Sequence, residues 1–345
     1  MSIVCEKVPP SDLVEKSGYR GVKDFVLVNR TERPKDIKVA EMWCMEPCYM
    51  PTFYEDIAQR IEDFEVRPDD VWVVTFAKCG TTWTQEMVWQ ICNGLDFETP
   101  KKLILQHRFP FIEFQSLLAK ELNLPDEIAR TESMPSPRFI KSHLPAHLLP
   151  RKIWTVRPKI IYVARNTKDA AISFYHHYRN LHHYSGNFEG FMDAFLKDSI
   201  LYSPFHSHII DFWRMRNEEN ILFLTFEDMK RDHPSVIKKT AKFLGKSLSE
   251  NQILELADYL SFAKFSKNPS VNMEGILKNF EKTIGSKRPD NDYNFVRKGV
   301  VGGFKEEMTP ELIDRFNKWT ESEVKKWNCD PELKQIFTIS NKING

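Results

Sequence analysis

The chain lacks charge of one sign. Lys and Arg total 49 and Asp and Glu 48, a net charge of +1 over 345 residues. No general polyanion partner, nucleic acid or anionic membrane, is suggested, so any anion site must be local. It lacks a long apolar run, and nothing approaches the roughly 18 residues of a membrane span. The opening MSIVCEKVPPSDLVEK carries charges early and no uninterrupted apolar stretch, unlike a secretory signal. Cysteine is sparse and scattered: Cys5, Cys44, Cys48, Cys79, Cys92 and Cys329. These form no disulfide framework, and Cys44 with Cys48 has no matching second pair for zinc. Reduced thiols and a cytoplasmic setting are the expectation. There is no internal repeat and no low-complexity segment.

What is present is ordinary for a folded globular chain: 41% hydrophobic and 28% charged residues. The length suits one large α/β domain or two small ones. One stretch organises the rest, Val71-Trp-Val-Val-Thr-Phe-Ala-Lys-Cys-Gly-Thr-Thr-Trp83. Val71 to Phe76 is apolar and rich in β-branched and aromatic residues, a strand buried on both faces. Ala77 to Gly80 is a tight turn. From Thr81 the sequence predicts a helix, with apolar positions at Trp83, Met87, Val88, Ile91 and Cys92, ending at Gly94. A helix N-terminus behind a small-residue turn offers free N–H groups and the positive end of the helix dipole. Lys78 adds a full charge there. It is not a Walker A loop, because Lys78 precedes Gly80 instead of following it.

Residues 1–45 show no clear periodicity and are read as an N-terminal extension, packed on the domain or partly loose. Pro51 to Phe64 carries a helical stripe. Arg138–Ser142, Lys159–Ala164 and Ile221–Phe226 are further strands, and Asn166–Tyr178, Phe188–Lys197 and Pro204–Arg216 are helices. Asp96–Pro137 has no strand signal. Beyond His233 the chain is helical, interrupted by a loop from Met273 to Lys305. Strands alternating with helices predict a parallel sheet, whose ligands sit beyond the C-terminal strand ends. Lys78, His143, Arg165 and Glu227 lie at four such ends. A histidine there serves as a base near neutral pH, or else as a satisfied structural residue. Arg165, with Ser173 two helical turns on, makes a phosphate clamp, unless Arg165 pairs with Asp169. His176, His177, His182 and His183 find no carboxylate or cysteine spaced to complete a metal site.

The motifs resemble those of the cytosolic sulfotransferases. AKCGTTW (77–83) is similar to that family's P-K-S-G-T-T-W, with Ala77 for Pro and Cys79 for Ser. KSHLP (141–145) resembles K-T-H-L-P. YVARNTKDAAIS (162–173) resembles the family's 3′-phosphate site, and FVRKG (295–299) its F-[IM]-R-K-G. The resemblance runs from about Tyr54 to Asp314. Within it, TTWTQEMVWQICNGLDFE looks especially like insect members, retinol dehydratase included.

The resemblance implies a single α/β domain over 46–345, a P-loop-like parallel sheet flanked by helices. It implies 3′-phosphoadenosine-5′-phosphosulfate (PAPS) as donor, PAP as product, and no metal. By the same resemblance Lys78, Cys79, Gly80, Thr81, Thr82 and Trp83 form the donor loop. Arg165, Ser173, Arg297, Lys298 and Gly299 hold the 3′-phosphate, and Trp83, Phe226 and Phe262 take the adenine. Phe226 stands where the family has Tyr. His143 is the implied general base, Lys78 balances the leaving oxygen, Lys141 steadies the sulfuryl oxygens, and Ser173 restrains Lys78. Tyr54, Phe111, Phe114, Lys141, His143 and His177 would line the pocket for a small apolar hydroxyl-bearing acceptor. KEEMTPELID (305–314) is similar to the family's dimer motif, with Pro310 and Asp314 departing from it. Two rivals stand beside sulfation: elimination of a transient sulfate ester, as in retinol dehydratase, and a non-catalytic binder of nucleotide or apolar ligand.

Overall fold

The computed structural model describes residues 2–9, 24–117, 125–284, 287, 289–290 and 293–338. Among these, β1 (Ile3–Lys7), β2 (Phe25–Arg30) and β3 (Cys48–Pro51) form an antiparallel sheet in that order. Then β4 (Val71–Val74), β5 (Phe139–Ser142), β6 (Lys159–Ala164) and β7 (Ile221–Thr225) form a parallel sheet in the order β5-β4-β6-β7.

Strand periodicity makes the parallel sheet a partition between two cores. Trp72, Val74, Tyr162 and Ala164 belong to one apolar cluster. Val71, Val73, Ile161 and Val163 belong to another. All four β4 residues are buried, which matches the apolar, non-alternating run. In register, Val71 lies opposite Phe139 and Lys159, so three strands start level with one another. A buried ion pair sets that register at the same end. Arg138 donates from Nε and Nη2 to Asp70 at 2.8 and 2.6 Å.

The helices expected after the strands are present at Thr81–Cys92, Thr167–Leu181, Phe188–Leu196 and Phe205–Arg214. Asn166 caps the second by accepting from the N–H groups of Lys168 and Asp169. Two expectations need correction. Pro51–Phe64 is not one helix: β3 ends at Pro51, a 3-10 turn covers Thr52–Asp56, and only Ala58–Glu62 is helical. Pro51 closes a strand, and the stripe reflects packing of Tyr54, Ile61 and Phe64 into the core. The loop Met273–Lys305 contains a helix, Glu274–Ile284. Where described, residues 1–45 pack on the rest of the chain: β2 pairs across position 45 with β3, and Val26, Val28 and Trp43 are core. Residues 10–23 of that segment lie outside the described residues.

Candidate active site

The turn after β4 folds on two left-handed residues, Lys78 at φ 69° and Gly80 at φ 101°. Glycine is needed at the second. A Cβ on Gly80 would stand 3.0 Å from the Phe226 ring. Gly80 is also the N-cap of Thr81–Cys92 and brings no side chain to cap it, so the first-turn N–H groups are left for a ligand.

Four strand ends and the 295–303 segment close around one cavity of about 370 Å³. Every site residue named from the sequence lines it except Cys79, Tyr54 and Glu227, whose carboxylate instead accepts the Asn166 N–H at 2.9 Å. Cys79 is fully buried, its thiol turned back to the Ala77 carbonyl at 3.9 Å, so only its backbone can serve a ligand. Tyr54 is 1% exposed and packs in the core with β3, which corrects its reading as an acceptor contact.

On the anion side, Arg165 does not pair with Asp169. It donates to the carbonyls of Lys78 (3.0 Å) and Val300 (3.3 Å), and its guanidinium lies 4.2 Å over the Phe226 ring. Asp169 instead accepts from Gly302 N–H (2.7 Å) and Phe304 N–H (3.0 Å), fastening the 297–304 segment onto the helix Thr167–Leu181. Arg297 donates to Glu307 at 2.8 Å, and Lys298 reaches Glu306 at 2.8 Å. Burial raises the pKa of Glu307, but hydrogen bonds from His176 and Arg297 outweigh it and hold it down at about 2. Gly299, at φ +59°, lies against Phe262, where a Cβ would stand 2.6 Å from the ring. Trp83 is pinned by its Nε1 bond to the Leu260 carbonyl (3.0 Å), with its ring 5.8 Å from that of Phe226. The three aromatic rings read as a flat-ligand surface therefore stand beside the phosphate-type donors.

Lys78 connects the two sides. Its Nζ is 4.3 Å from the Phe295 ring centroid and 3.5 Å from His177 Nδ1. Burial, with Lys141, Arg165 and Arg297 nearby, pulls its pKa down to about 7. Burial and the Lys78 charge also keep His177 neutral, well below its ordinary value.

On the apolar side, His143 is 7% exposed, with its ring 5.2 Å from Phe111 and 5.3 Å from Tyr202. Its Nδ1 lies 2.8 Å from the Thr75 carbonyl, which only accepts, so Nδ1 carries the proton and Nε2 the lone pair. Burial and Lys141 keep the ring neutral. The Thr75 hydroxyl is 3.2 Å from the same Nδ1 and 2.7 Å from the Thr81 hydroxyl, which ties the His143 ring to the turn after β4. Behind that ring, His208 donates from Nε2 to the His143 carbonyl at 2.9 Å. Lys141 Nζ sits 3.9 Å over the Phe111 ring, and the Phe114 ring lies tilted beside Phe111 at 5.9 Å. Of the other histidines, His176 binds Glu307 at 2.6 Å and His182 stacks on Tyr178.

Sequence reasoning missed Thr75, Tyr202 and Glu113. Thr75 had a signal, being the residue just past β4. Glu113 also had one, a lone carboxylate between Phe111 and Phe114 in an apolar run; it accepts the His143 N–H at 2.5 Å. Tyr202 had none.

The family model for the sulfotransferase domain matches residues 68–328. The chain is 37% identical over 284 residues to luciferin sulfotransferase of Photinus pyralis, covering 79% of this chain and 76% of that one. It is 34% identical to sulfotransferase 1C2 of Homo sapiens, covering 82% and 92%. Among solved structures it resembles a retinol dehydratase in complex with androsterone and the inactive cofactor PAP. There the TM-score is 0.81 with 28% identity, covering 96% of this chain and 99% of that one. The same enzyme with retinol and PAP gives 0.79 and 27%. With the site motifs all inside the matched span, the chain belongs to the sulfotransferase family and is an enzyme of that type.

Proposed function

We propose that the chain transfers the sulfuryl group of PAPS to a hydroxyl of a small, largely apolar acceptor, a phenol, steroid or terpenoid alcohol. One observation carries the reading. A neutral histidine with its tautomer fixed by the Thr75 carbonyl lies in the same cavity as an uncapped helix N-terminus and six Lys and Arg side chains.

The donor fits the residues present. Lys78, Thr81, Thr82 and the first-turn N–H groups suit the 5′-phosphosulfate. Arg165, Ser173, Arg297, Lys298 and Gly299 suit the 3′-phosphate, and Trp83, Phe226 and Phe262 the adenine. The donor supplies the sulfuryl group and leaves as PAP. His143 Nε2 takes the proton of the acceptor hydroxyl as the new S–O bond forms. Lys78 meets the negative charge that grows on the bridging oxygen as the old S–O bond breaks. Lys141 faces the peripheral oxygens, where a loose transition state spreads its charge. Phe111, Phe114 and Tyr202 exclude water from the acceptor. His177 is the polar contact in this wall. Six free thiols go with a cytosolic setting. The exposed ends of 305–314 are the proposed surface for pairing two copies, tested by light scattering of Lys305→Glu.

A second reading is favoured by the similarity to retinol dehydratase over 96% of the chain. An allylic sulfate ester would lose sulfate and a proton, giving a diene. The test is transfer from labelled donor to a panel of phenols, steroids and terpenoid alcohols, with products separated. His143→Ala should lower kcat by about 10²–10⁴-fold. A sulfate ester supports transfer and a diene supports elimination. Undiminished turnover in His143→Ala would overturn the base assignment.

A further inference from the structure

We propose that Glu113 is a positioning residue for the transfer step, its buried carboxylate locking the strand end that carries Lys141 and His143 to the wall of the acceptor pocket. The inference rests on the sulfuryl-transfer reading.

Glu113 is 0% exposed. Its Oε1 accepts the backbone N–H of His143 at 2.5 Å. Its Oε2 has no hydrogen-bond partner among the described residues. A carboxylate buried with one oxygen unmet costs several kcal/mol unless something nearby compensates it. The segment that carries it is also sewn to the catalytic strand. Lys141 N–H donates to the Pro110 carbonyl at 2.8 Å, and Ile112 N–H to the Lys141 carbonyl at 3.1 Å. Phe111 and Lys141 form a parallel bridge. The two aromatic rings of the acceptor wall and the two catalytic side chains are thus one rigid unit, with Glu113 at its centre.

The charge has a second effect. Burial lowers the pKa of Lys141, and the Glu113 carboxylate raises it. The other groups facing this pair are Cys48, Tyr54, Ser142, His143 and Lys78. Of these only Lys78 adds a positive charge, so among the described residues Glu113 is the carboxylate that favours the Lys141 ammonium. Lys141 therefore stays charged to higher pH with Glu113 than without it. Glu113→Gln keeps the shape and removes the charge.

The test has two arms. In the first, the full chain is labelled with ε-¹³C lysine and titrated by NMR; the Lys141 signal is the one missing in Lys141→Arg. In Glu113→Gln its midpoint should fall by about one pH unit. The second arm measures kcat against pH. The alkaline limb should move down by the same amount, and kcat at the optimum should fall by about 10- to 100-fold. PAP affinity should stay within about twofold. Glu113→Asp should return the limb toward wild type while leaving kcat low, because it restores charge but not reach. An unmoved Lys141 midpoint, or a Glu113→Gln kcat within about twofold of wild type, overturns the proposal. A shifted midpoint in a chain that transfers sulfate to nothing upholds the electrostatic link and overturns the sulfuryl-transfer reading alone.

Discussion

Binding of PAP should take up a proton at mildly alkaline pH, and Lys78 is where it goes. In the chain alone, burial and the charges of Lys141, Arg165 and Arg297 bring Lys78 to about 7. At pH 8, one unit above that value, about 0.9 of the molecules carry neutral Lys78. The phosphates of PAP favour the ammonium and raise its pKa again. The sign follows. The protonated form binds better, so affinity rises as pH falls. Log K should drop with a slope near −1 above pH 7 and level off below about pH 6. Between pH 7 and pH 9 the factor is (1 + 100)/(1 + 1), about 50-fold in affinity. Titration calorimetry at pH 8, in buffers of unlike ionisation enthalpy, reads the proton count from the slope of heat against that enthalpy. The second protonation of a phosphate lies near pH 6 and does not contribute at pH 8. About 0.9 protons are expected for wild type and close to none for Lys78→Met. Zero uptake in wild type would refute the reasoning. Equal uptake in Lys78→Met would refute it too, by assigning the proton to Lys141.

Three further outcomes are expected. Gly80→Ala meets a left-handed φ and the Phe226 ring, so it should cost about 1–2 kcal/mol in stability and weaken PAP about tenfold; calorimetry and thermal melting read both, and an unchanged affinity would mean that the loop does not need this conformation. Asp70→Asn leaves Arg138 buried without its carboxylate and should lose about 3–5 kcal/mol in urea denaturation. A loss under 1 kcal/mol would show that the pair is not what holds the base of the sheet. Arg297→Gln should weaken PAP by about tenfold and flatten its salt dependence, because one charge-assisted contact is gone; a slope unchanged between low and high salt would remove Arg297 from the phosphate site.

The parallel sheet was legible because its strands are continuous apolar runs bounded by polar residues, as in Lys159-Ile-Ile-Tyr-Val-Ala164. The strand-end rule put Lys78, His143, Arg165 and Glu227 at one crevice; the first three line the cavity and Glu227 does not. The antiparallel sheet was not legible. The CYMP strand carries a proline, and pairing of Phe25–Arg30 with residues about twenty positions on leaves no local signature. Tyr54 misled for a similar reason. Its aromatic ring fits a pocket or a core equally well, and only packing separates the two. Thr75 and Glu113 act through a carbonyl and a backbone N–H, and sequence patterns carry little information about which backbone group a side chain will meet.

The site also explains how a chain of net charge +1 can hold a polyanion. Lys78, Lys141, Arg165 and Arg297 all line one cavity. Of these four, Arg297 has a carboxylate in hydrogen-bond reach, Glu307, and Lys298, which also lines the cavity, reaches Glu306 and Glu307. The others are held mainly by neutral groups: Phe295 and His177 for Lys78, the Phe111 face for Lys141, and two carbonyls with the Phe226 face for Arg165. A ring face returns about 0.5–2 kcal/mol to a cation, well short of what burial removes. The depressed pKa of Lys78 is the visible result. A ligand with several negative charges therefore gains more here than it would from cations already neutralised by acids. The preference for such a ligand comes from which partners the cations lack, and substituting an acid for His177 should weaken PAP binding even though it touches no phosphate. His177→Glu would put a carboxylate beside Lys78, raise the lysine's pKa and abolish the proton uptake at pH 8. If that variant binds PAP as tightly as wild type, the cations are not poised by want of partners, and the argument from neutral holders is wrong.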